Sequence, residues 1–201
     1  MIEVITPSSP YGFAANTYIL RSGNETCVID PTVPYDPTLV GGRLKYIILT
    51  HCHFDHILEL DSWAENTSAE VIISAEDAEG LSDPSINCYL LFSGLNKGYR
   101  GRYKAVYDGD KLSLGEHTLS VVHLPGHTPG CIALVGEGLA FVGDTVFAGG
   151  GFGRCDLPRG NYRALRDSIM KVLSFPDDTV LYCGHGESTT VKEYKKHSII
   201  K

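Results

Sequence analysis

Short runs of apolar, β-branched residues separated by turns rich in glycine, proline and aspartate recur along most of this chain. Runs of this length and composition predict strands rather than helices. We expect ten strands, near residues 2–6, 16–21, 25–29, 45–49, 71–74, 104–107, 117–123, 131–136, 139–142 and 179–182.

Helical spacing of apolar residues is confined to three segments. Residues 57–65 read as a helix, and residues 162–173 carry an apolar stripe made by Tyr162, Leu165, Ile169, Val172 and Leu173. A last helix near 191–198 is indicated by Thr190 and Glu193, which have the spacing of a capping box. Strands interrupted by one-sided helices favour an α+β fold in which two sheets pack together with helices outside.

Three histidines and an aspartate follow the predicted strand at 45–49 within six residues. They are His51, His53, Asp55 and His56, and each carries a side chain that binds divalent cations. A loop held at the end of a buried strand is a common position for binding and catalytic groups. This segment therefore predicts a metal site.

Three further residues of the same kind lie at the ends of later strands. His127 follows the strand at 117–123, Asp144 follows 139–142, and His185 follows 179–182 between two glycines. The seven side chains exceed the four ligands of one tetrahedral zinc ion. We therefore expect two divalent metal ions that share a carboxylate, with zinc as the expected metal and iron or manganese as alternatives.

The run from His51 to His56 resembles the HxHxDH signature of the metallo-β-lactamase superfamily, and His127, Asp144 and His185 match its later ligand positions in order. The segments 143–147, 153–158 and 184–186 resemble the glyoxalase II-like branch. The resemblance implies a four-layer αβ/βα sandwich. It also implies that one metal is bound by His51, His53 and His127, that the second is bound by Asp55, His56 and His185, and that Asp144 bridges both.

The resemblance further implies a metal-dependent hydrolase that acts on a small acyl-thiol. A hydroxide held by the metals would attack the thioester carbonyl, and Asp55 would orient it. Full-length glyoxalase II enzymes carry an added helical domain that grips glutathione, and this chain ends soon after His185, so the thiol carrier stays open.

Other functions fit parts of the same pattern. A persulfide dioxygenase would hold one iron ion with His51, His127 and Asp144. Lactone or β-lactam hydrolysis is the same chemistry on another acyl group. A non-catalytic metal-stabilised binding module is disfavoured, because a scaffold has no need of a ligand set that leaves coordination positions open.

Composition restricts the setting. At 201 residues, with 43% hydrophobic and 20% charged residues, we expect one globular domain spanning 1–201. The formal charge of −7 disfavours nucleic acid as a partner. Neither a membrane-spanning run nor a signal peptide is visible, and six cysteines without paired spacing are typical of free thiols, so we expect a cytoplasmic protein. The sequence makes no prediction of oligomeric state.

Candidates for supporting roles lie outside the ligand set. Asp30, before Pro31, is expected to orient a ligand, and Arg154 to brace the glycine-rich arm at 149–153. The stretch 81–107 mixes aromatic and basic residues, and it either lines a substrate groove or covers part of the core. If it lines the groove, the contributing residues would be Lys97, Tyr99, Arg100 and Arg102.

Overall fold

The computed structural model describes residues 1–200, which form fourteen β-strands and four α-helices. The strands are β1 (Glu3–Ile5), β2 (Tyr18–Ser22), β3 (Glu25–Ile29), β4 (Arg43–Ile48), β5 (Glu70–Ser74), β6 (Lys104–Val106), β7 (Lys111–Leu114), β8 (His117–His123), β9 (Ile132–Gly136), β10 (Leu139–Gly143), β11 (Val146–Phe147), β12 (Gly151–Phe152), β13 (Val180–Cys183) and β14 (Thr189–Thr190). The helices are α1 (Leu60–Asn66), α2 (Tyr89–Ser93), α3 (Tyr162–Leu173) and α4 (Val191–His197).

The strands form two six-stranded sheets and one short ribbon. The first sheet has the order β1-β2-β3-β4-β5-β6, and the second has the order β14-β13-β10-β9-β8-β7, while β11 pairs with β12. Strands β3 to β6 run parallel to one another, as do β10 and β13. Parallel neighbours end at the same edge of a sheet, so the loops that follow β4 and β5, or β10 and β13, emerge side by side.

The core between the sheets follows from the alternation of side chains along each strand. In β2, Tyr18 and Leu20 face the other sheet, and Ile19 faces outward. Phe141 of β10 is fully buried, with its ring stacked on Tyr182 at 4.7 Å between centroids and Tyr18 edge-on at 5.3 Å. The two sheets thus bury their inner faces against each other.

Helices cover both outer faces. Leu60 and Trp63 of α1 pack on the outer face of the first sheet, and Leu165 and Ile169 of α3 pack, together with α4, on the outer face of the second. The layers are helix, sheet, sheet and helix. This arrangement confirms the predicted four-layer αβ/βα sandwich.

The ten predicted strands and three predicted helices are all present, with shifted ends. Helix α1 begins at Leu60 rather than at residue 57, because a 3₁₀ turn at Phe54–His56 and the non-helical Ile57 precede it. In β4 the pairing with β3 skips Lys45, a β-bulge that places Leu44 on the outer face and Tyr46 on the inner face.

Several short elements have no clear signal in the sequence. They are strands β7, β11, β12 and β14 and helix α2, none longer than five residues. Half of the expected capping box of α4 forms, since Thr190 Oγ1 accepts the Glu193 N–H. The Glu193 side chain accepts a hydrogen bond from Lys196 rather than from the Thr190 backbone. Within residues 1–200, no helix has both the length and the apolar character to cross a membrane.

Truncating Phe141 tests the importance of the inter-sheet core. We expect Phe141→Ala to lower the free energy of unfolding by about 3–5 kcal/mol, since it removes a fully buried ring that both sheets enclose. Urea unfolding followed by circular dichroism measures this. Met170→Ala, on the exposed side of α3, is the control and should change stability by less than about 0.5 kcal/mol. Equal midpoints for the two variants would contradict this account of the core.

Candidate metal centre

The seven predicted ligands come from four segments that meet at one edge of the sandwich. These segments follow β4, β8, β10 and β13. Backbone hydrogen bonds tie them together: the Ile132 N–H donates to the Thr50 carbonyl at 2.9 Å, and the Gly184 N–H donates to the Gly143 carbonyl at 2.7 Å. The rigid sheets thereby fix the relative positions of all four segments.

The structure brings all seven side chains together. Three overlapping groups each have their potential ligand atoms within 4.8 Å of one another. Two of the groups coincide with the division that the resemblance implies, and the third joins them through Asp144. The groups are His51, His53 and His127; Asp55, His56 and His185; and His51, His56 and Asp144.

Asp144 lies between the two halves of this cluster. Its Oδ1 is 3.2 Å from His56 Nε2, and its Oδ2 is 3.6 Å from both His127 Nε2 and His185 Nε2. The side chain is largely buried, so the carboxylate is a negative charge shared by three imidazoles. This is the position that a bridging ligand would require.

Hydrogen bonds outside the cluster orient three of the imidazoles. His56 Nδ1 donates to Asp30 Oδ2 at 2.8 Å, and His127 Nδ1 donates to the Arg154 carbonyl at 2.6 Å. His51 Nδ1 lies 3.2 Å from Thr50 Oγ1. A neutral imidazole that donates from Nδ1 has its lone pair on Nε2, and the Nε2 atoms of His56 and His127 both lie beside Asp144. His127 Nε2 also lies 2.9 Å from His53 Nδ1, so these two rings are in contact inside the cluster.

The chemistry of the donor set fits divalent cations. Four buried side-chain atoms of the candidate ligands have no hydrogen-bond partner: His51 Nε2, His53 Nε2, His56 Nε2 and Asp144 Oδ1. Leaving buried polar atoms unsatisfied costs free energy, and four such atoms belong to this one cluster. Imidazole nitrogens and carboxylate oxygens are the ligands that zinc, iron and manganese accept in proteins.

Burial and neighbouring charges set the protonation of the cluster. Burial, reinforced by the adjacent imidazoles, holds the pKa of His51 well below its ordinary value and lowers the pKa of His53 to about 3. Burial also opposes charge on His56, but the Asp144 and Asp30 carboxylates outweigh it and raise the pKa of that imidazole. His51 and His53 are therefore neutral, as a metal ligand must be.

The two carboxylates inside the cluster are ionised. For Asp144, burial favours the neutral acid, but His56 and the other imidazoles outweigh it and hold the pKa well below the ordinary value. For Asp55, the hydrogen bond with His185 has the same effect against burial and lowers the pKa. His185 Nε2 lies 3.2 Å from Asp55 Oδ2.

Asp30, expected to orient a ligand, forms a hydrogen bond with the candidate ligand His56. It lies directly after β3 with a φ of 49°, a left-handed conformation that is uncommon for a residue with a side chain. Its Oδ1 accepts the Thr50 N–H at 2.8 Å, and its Oδ2 accepts both Thr50 Oγ1 and His56 Nδ1. One carboxylate thus fixes the end of β4 and the orientation of a candidate ligand.

Asp77 is a supporting residue that the sequence analysis missed. This buried carboxylate accepts the Cys52 N–H at 3.1 Å, the Thr128 hydroxyl at 2.6 Å and the Gly130 N–H at 2.8 Å. It therefore joins the loop of His51 and His53 to the loop of His127. The available signal was its position just after β5, at the same sheet edge as the ligands.

Gly184 allows the close approach of two ligand segments. A Cβ atom at this position would lie 2.0 Å from Asp144 Oδ1 and 2.9 Å from His56 Cε1. A side chain at residue 184 would therefore displace the candidate bridging carboxylate.

The ligand atoms face an open cleft of about 460 Å³. Its wall is largely apolar, and Arg154 is the cationic side chain that lines it. The lining residues other than the candidate ligands are Phe13, Phe54, Phe92, Phe147, Arg154 and Leu157. Arg154 acts on the cluster through its backbone carbonyl, while its guanidinium donates two hydrogen bonds to Asp156.

The residues suggested for a substrate groove lie outside this cleft. Tyr99, Arg100 and Arg102 line a separate depression shared with Asp61 and Glu65 of the first outer layer. Tyr99 is buried with its hydroxyl donating to the Arg102 carbonyl, and Lys97 lies over the Tyr89 ring. Burial of Tyr99 turns this segment toward the core, so 81–107 reaches the cleft through Phe92 instead.

Replacing Asp77 tests its role as a clip between ligand loops. Both oxygens of the Asp77 carboxylate accept a backbone N–H, so in Asp77→Asn the NH₂ group must replace one acceptor and face a donor. We therefore expect the free energy of unfolding to fall by about 1–3 kcal/mol. Metal affinity should fall as well, because two ligand loops lose their shared anchor. Urea unfolding and metal titration measure the two effects. Glu79→Gln, on the same turn and exposed, is the control, and indistinguishable variants would refute the clip.

Comparisons with known proteins agree with this geometry. The model of the metallo-beta-lactamase superfamily matches residues 10–185. The hydroxyacylglutathione hydrolase GloC of Haemophilus influenzae is 33% identical over 168 residues, which cover 77% of this chain and 74% of that protein.

Solved structures are similar over almost the whole chain. The B3 metallo-beta-lactamase BLEG-1 has a TM-score of 0.86 at 29% identity, covering 99% of this chain and 98% of that one. TTHA1623 in a di-iron-bound form has a TM-score of 0.83 at 26% identity, with coverage of 98% and 100%. ETHE1 from Myxococcus xanthus has a TM-score of 0.75 at 25% identity, with coverage of 99% and 83%. The chain belongs to the metallo-beta-lactamase superfamily.

Proposed function

We propose that this protein is a metal-dependent hydrolase that cleaves small thioesters. The observation that carries the proposal is the convergence of five imidazoles with an ionised Asp144 beside an open cleft. The 33% identity of this chain to GloC, a hydroxyacylglutathione hydrolase, supports a thioester substrate over a lactone or a β-lactam.

The ligand set suits two metal ions. His51, His53 and His127 would hold the first, Asp55, His56 and His185 would hold the second, and Asp144 would be shared. When bound, such cations supply hydroxide near neutral pH and polarise the carbonyl oxygen of a substrate.

The residues of the chain contribute position and proton acceptance. Asp55 is ionised, and its carboxylate remains partly exposed to the cleft, so it can accept a hydrogen bond from the attacking nucleophile and orient it. Phe54 and Phe147 line the same cleft and give it apolar walls beside the ligand cluster. The open side of the cleft lets the thiol carrier extend into solvent.

A small acyl-thiol is a better substrate proposal than a nucleic acid. The chain carries a formal charge of −7, and Arg154, already paired with Asp156, is the one cation in the cleft wall described for residues 1–200. We propose a cytoplasmic location on the sequence argument alone.

A persulfide dioxygenase is the second candidate, favoured by the similarity to ETHE1. In that reaction His51, His127 and Asp144 would hold one iron ion. The group formed by Asp55, His56 and His185 argues for the hydrolase, since a mononuclear site does not use it. The di-iron form of TTHA1623 leaves iron open as the metal of a dinuclear site.

Metal content separates a dinuclear from a mononuclear site. We expect two divalent metal ions per wild-type chain, and we expect Asp144→Ala to lose affinity for both and to abolish turnover. Inductively coupled plasma mass spectrometry measures the content. Asp177→Ala, an exposed carboxylate paired with Lys195, is the matched control. One ion per chain in fully loaded wild-type protein would favour the dioxygenase.

A substrate panel separates the reactions directly. The wild-type protein should release thiol from thioesters faster than it opens lactones or β-lactams, and it should consume no oxygen with glutathione persulfide. Ellman's reagent, absorbance and an oxygen electrode report the three activities. Oxygen uptake at a rate above thioester hydrolysis would reverse the order of the two candidates.

Asp55→Asn tests the orienting role of that carboxylate. The amide is nearly isosteric but a poor proton acceptor, so we expect kcat to fall about 100-fold or more. The first metal should stay bound, because His51, His53 and His127 are unchanged. Asp61→Asn, on the exposed side of α1, is the control. Wild-type kcat across the pH range with full metal content would show that Asp55 is dispensable.

A further inference from the structure

The wall of the cleft is an aromatic surface built from separate segments. Phe13 comes from the loop before β2, Phe54 from the turn between two candidate ligands, and Phe92 from α2. The Phe54 ring lies 5.7 Å from the Phe13 ring and stacks on the Phe92 ring at 5.5 Å with an interplanar angle of 23°. Phe147 and Leu157 also line the cleft.

Two of these rings are held in contact with water. Phe13 is 57% exposed and Phe92 is 51% exposed, although both pack against the half-buried Phe54. Covering the exposed face of an aromatic ring removes apolar surface from water and is therefore favourable. These rings line the same cleft as the candidate ligands. A substrate with an apolar body would cover them while its carbonyl lies at the ligand cluster.

The cleft offers little to an anionic thiol carrier. Of the eleven residues that line it, Arg154 alone carries a permanent positive charge. Its guanidinium donates to both Asp156 oxygens, at 2.7 Å and 2.8 Å, so that charge is already compensated. Lys97, Arg100 and Arg102 lie outside the cleft, and the strongest hydrogen bonds to a carboxylate come from charged donors such as these.

We infer that the substrate is a thioester whose acyl group carries an apolar, ring-sized body and whose thiol is uncharged. The inference rests on the proposed thioesterase function and narrows it. The rings of Phe13, Phe54 and Phe92 would cover the acyl body. The two carboxylates of glutathione would find no free cation in the described cleft wall, so glutathione brings no advantage as the carrier.

Matched thioesters test the substrate class. S-phenylacetyl, S-lactoyl and S-acetyl esters of N-acetylcysteamine share one neutral thiol, and each rate is divided by the rate of hydroxide-catalysed hydrolysis to remove intrinsic reactivity. We expect kcat/KM for the phenylacetyl ester to exceed that for the lactoyl ester at least tenfold. Phenylacetyl-glutathione should show no gain over phenylacetyl-N-acetylcysteamine.

Variants connect the preference to the wall. Phe92→Ala and, independently, Phe13→Ala should lower kcat/KM for the phenylacetyl ester about five- to tenfold, mainly through a higher KM. The loss of kcat/KM for the acetyl ester, which has no ring to cover, should be smaller than twofold. Leu91→Ala is the matched control, because Leu91 is 61% exposed on the same helix and does not line the cleft. Circular dichroism verifies folding, and Phe13→Ala keeps the test valid if α2 unfolds in the other variant.

The outcomes distinguish this inference from the proposed function. Efficient hydrolysis of lactoyl-glutathione with no preference for the phenylacetyl ester would overturn the inference and leave the thioesterase standing. Equal losses for phenylacetyl and acetyl esters in both Phe variants would also overturn it, since the rings would then have no specific role. Failure to hydrolyse any thioester, together with oxygen uptake on a persulfide, would overturn both.

Discussion

The structure depends on one constraint, which is the convergence of buried imidazoles and carboxylates at a single sheet edge. The rings of His51 and His56 lie 4.0 Å apart and those of His53 and His127 lie 4.6 Å apart, with Asp144 beside them. Burying so many polar groups is unfavourable unless each has a partner or a cation. Ordinary packing would separate these rings, so hydrogen bonds from outside the cluster must hold them in place.

Two buried carboxylates outside the cluster provide that support. Asp30 joins the end of β3 to Thr50 and His56, and Asp77 joins Cys52 to Thr128 and Gly130. Each carboxylate accepts three hydrogen bonds from segments distant in sequence. Both carboxylates lie near strand ends, so the sheets fix their positions and thereby the orientation of the imidazoles. Such fixed support is what pre-organises a metal site.

The sequence predicted the parts of the molecule whose signals are local. Apolar runs located the long strands, and residues 51–56 placed four candidate ligands in one short segment. Signals that depend on tertiary contacts were lost. Asp77 looks like any turn aspartate until Cys52 and Gly130, 25 and 53 residues away, are seen to donate to it. The sequence also left open whether the basic stretch around Arg100 lines a groove or covers the core. In the structure Tyr99 is buried and Arg100 lines a depression separate from the cleft.

In this fold the residues that carry the chemistry and those that set substrate specificity lie on different parts of the structure. The candidate ligands follow strand ends of a rigid sandwich, so relatives that share them can share a reaction centre while differing in substrate. The wall is assembled from the loop before β2, the turn at Phe54, helix α2 and the segments around Phe147 and Leu157. Loops tolerate change without disturbing the core. The ligand cluster carries little information about the acyl group. Substrate choice in this chain therefore depends on the aromatic wall and on Arg154, whose charge is paired with Asp156.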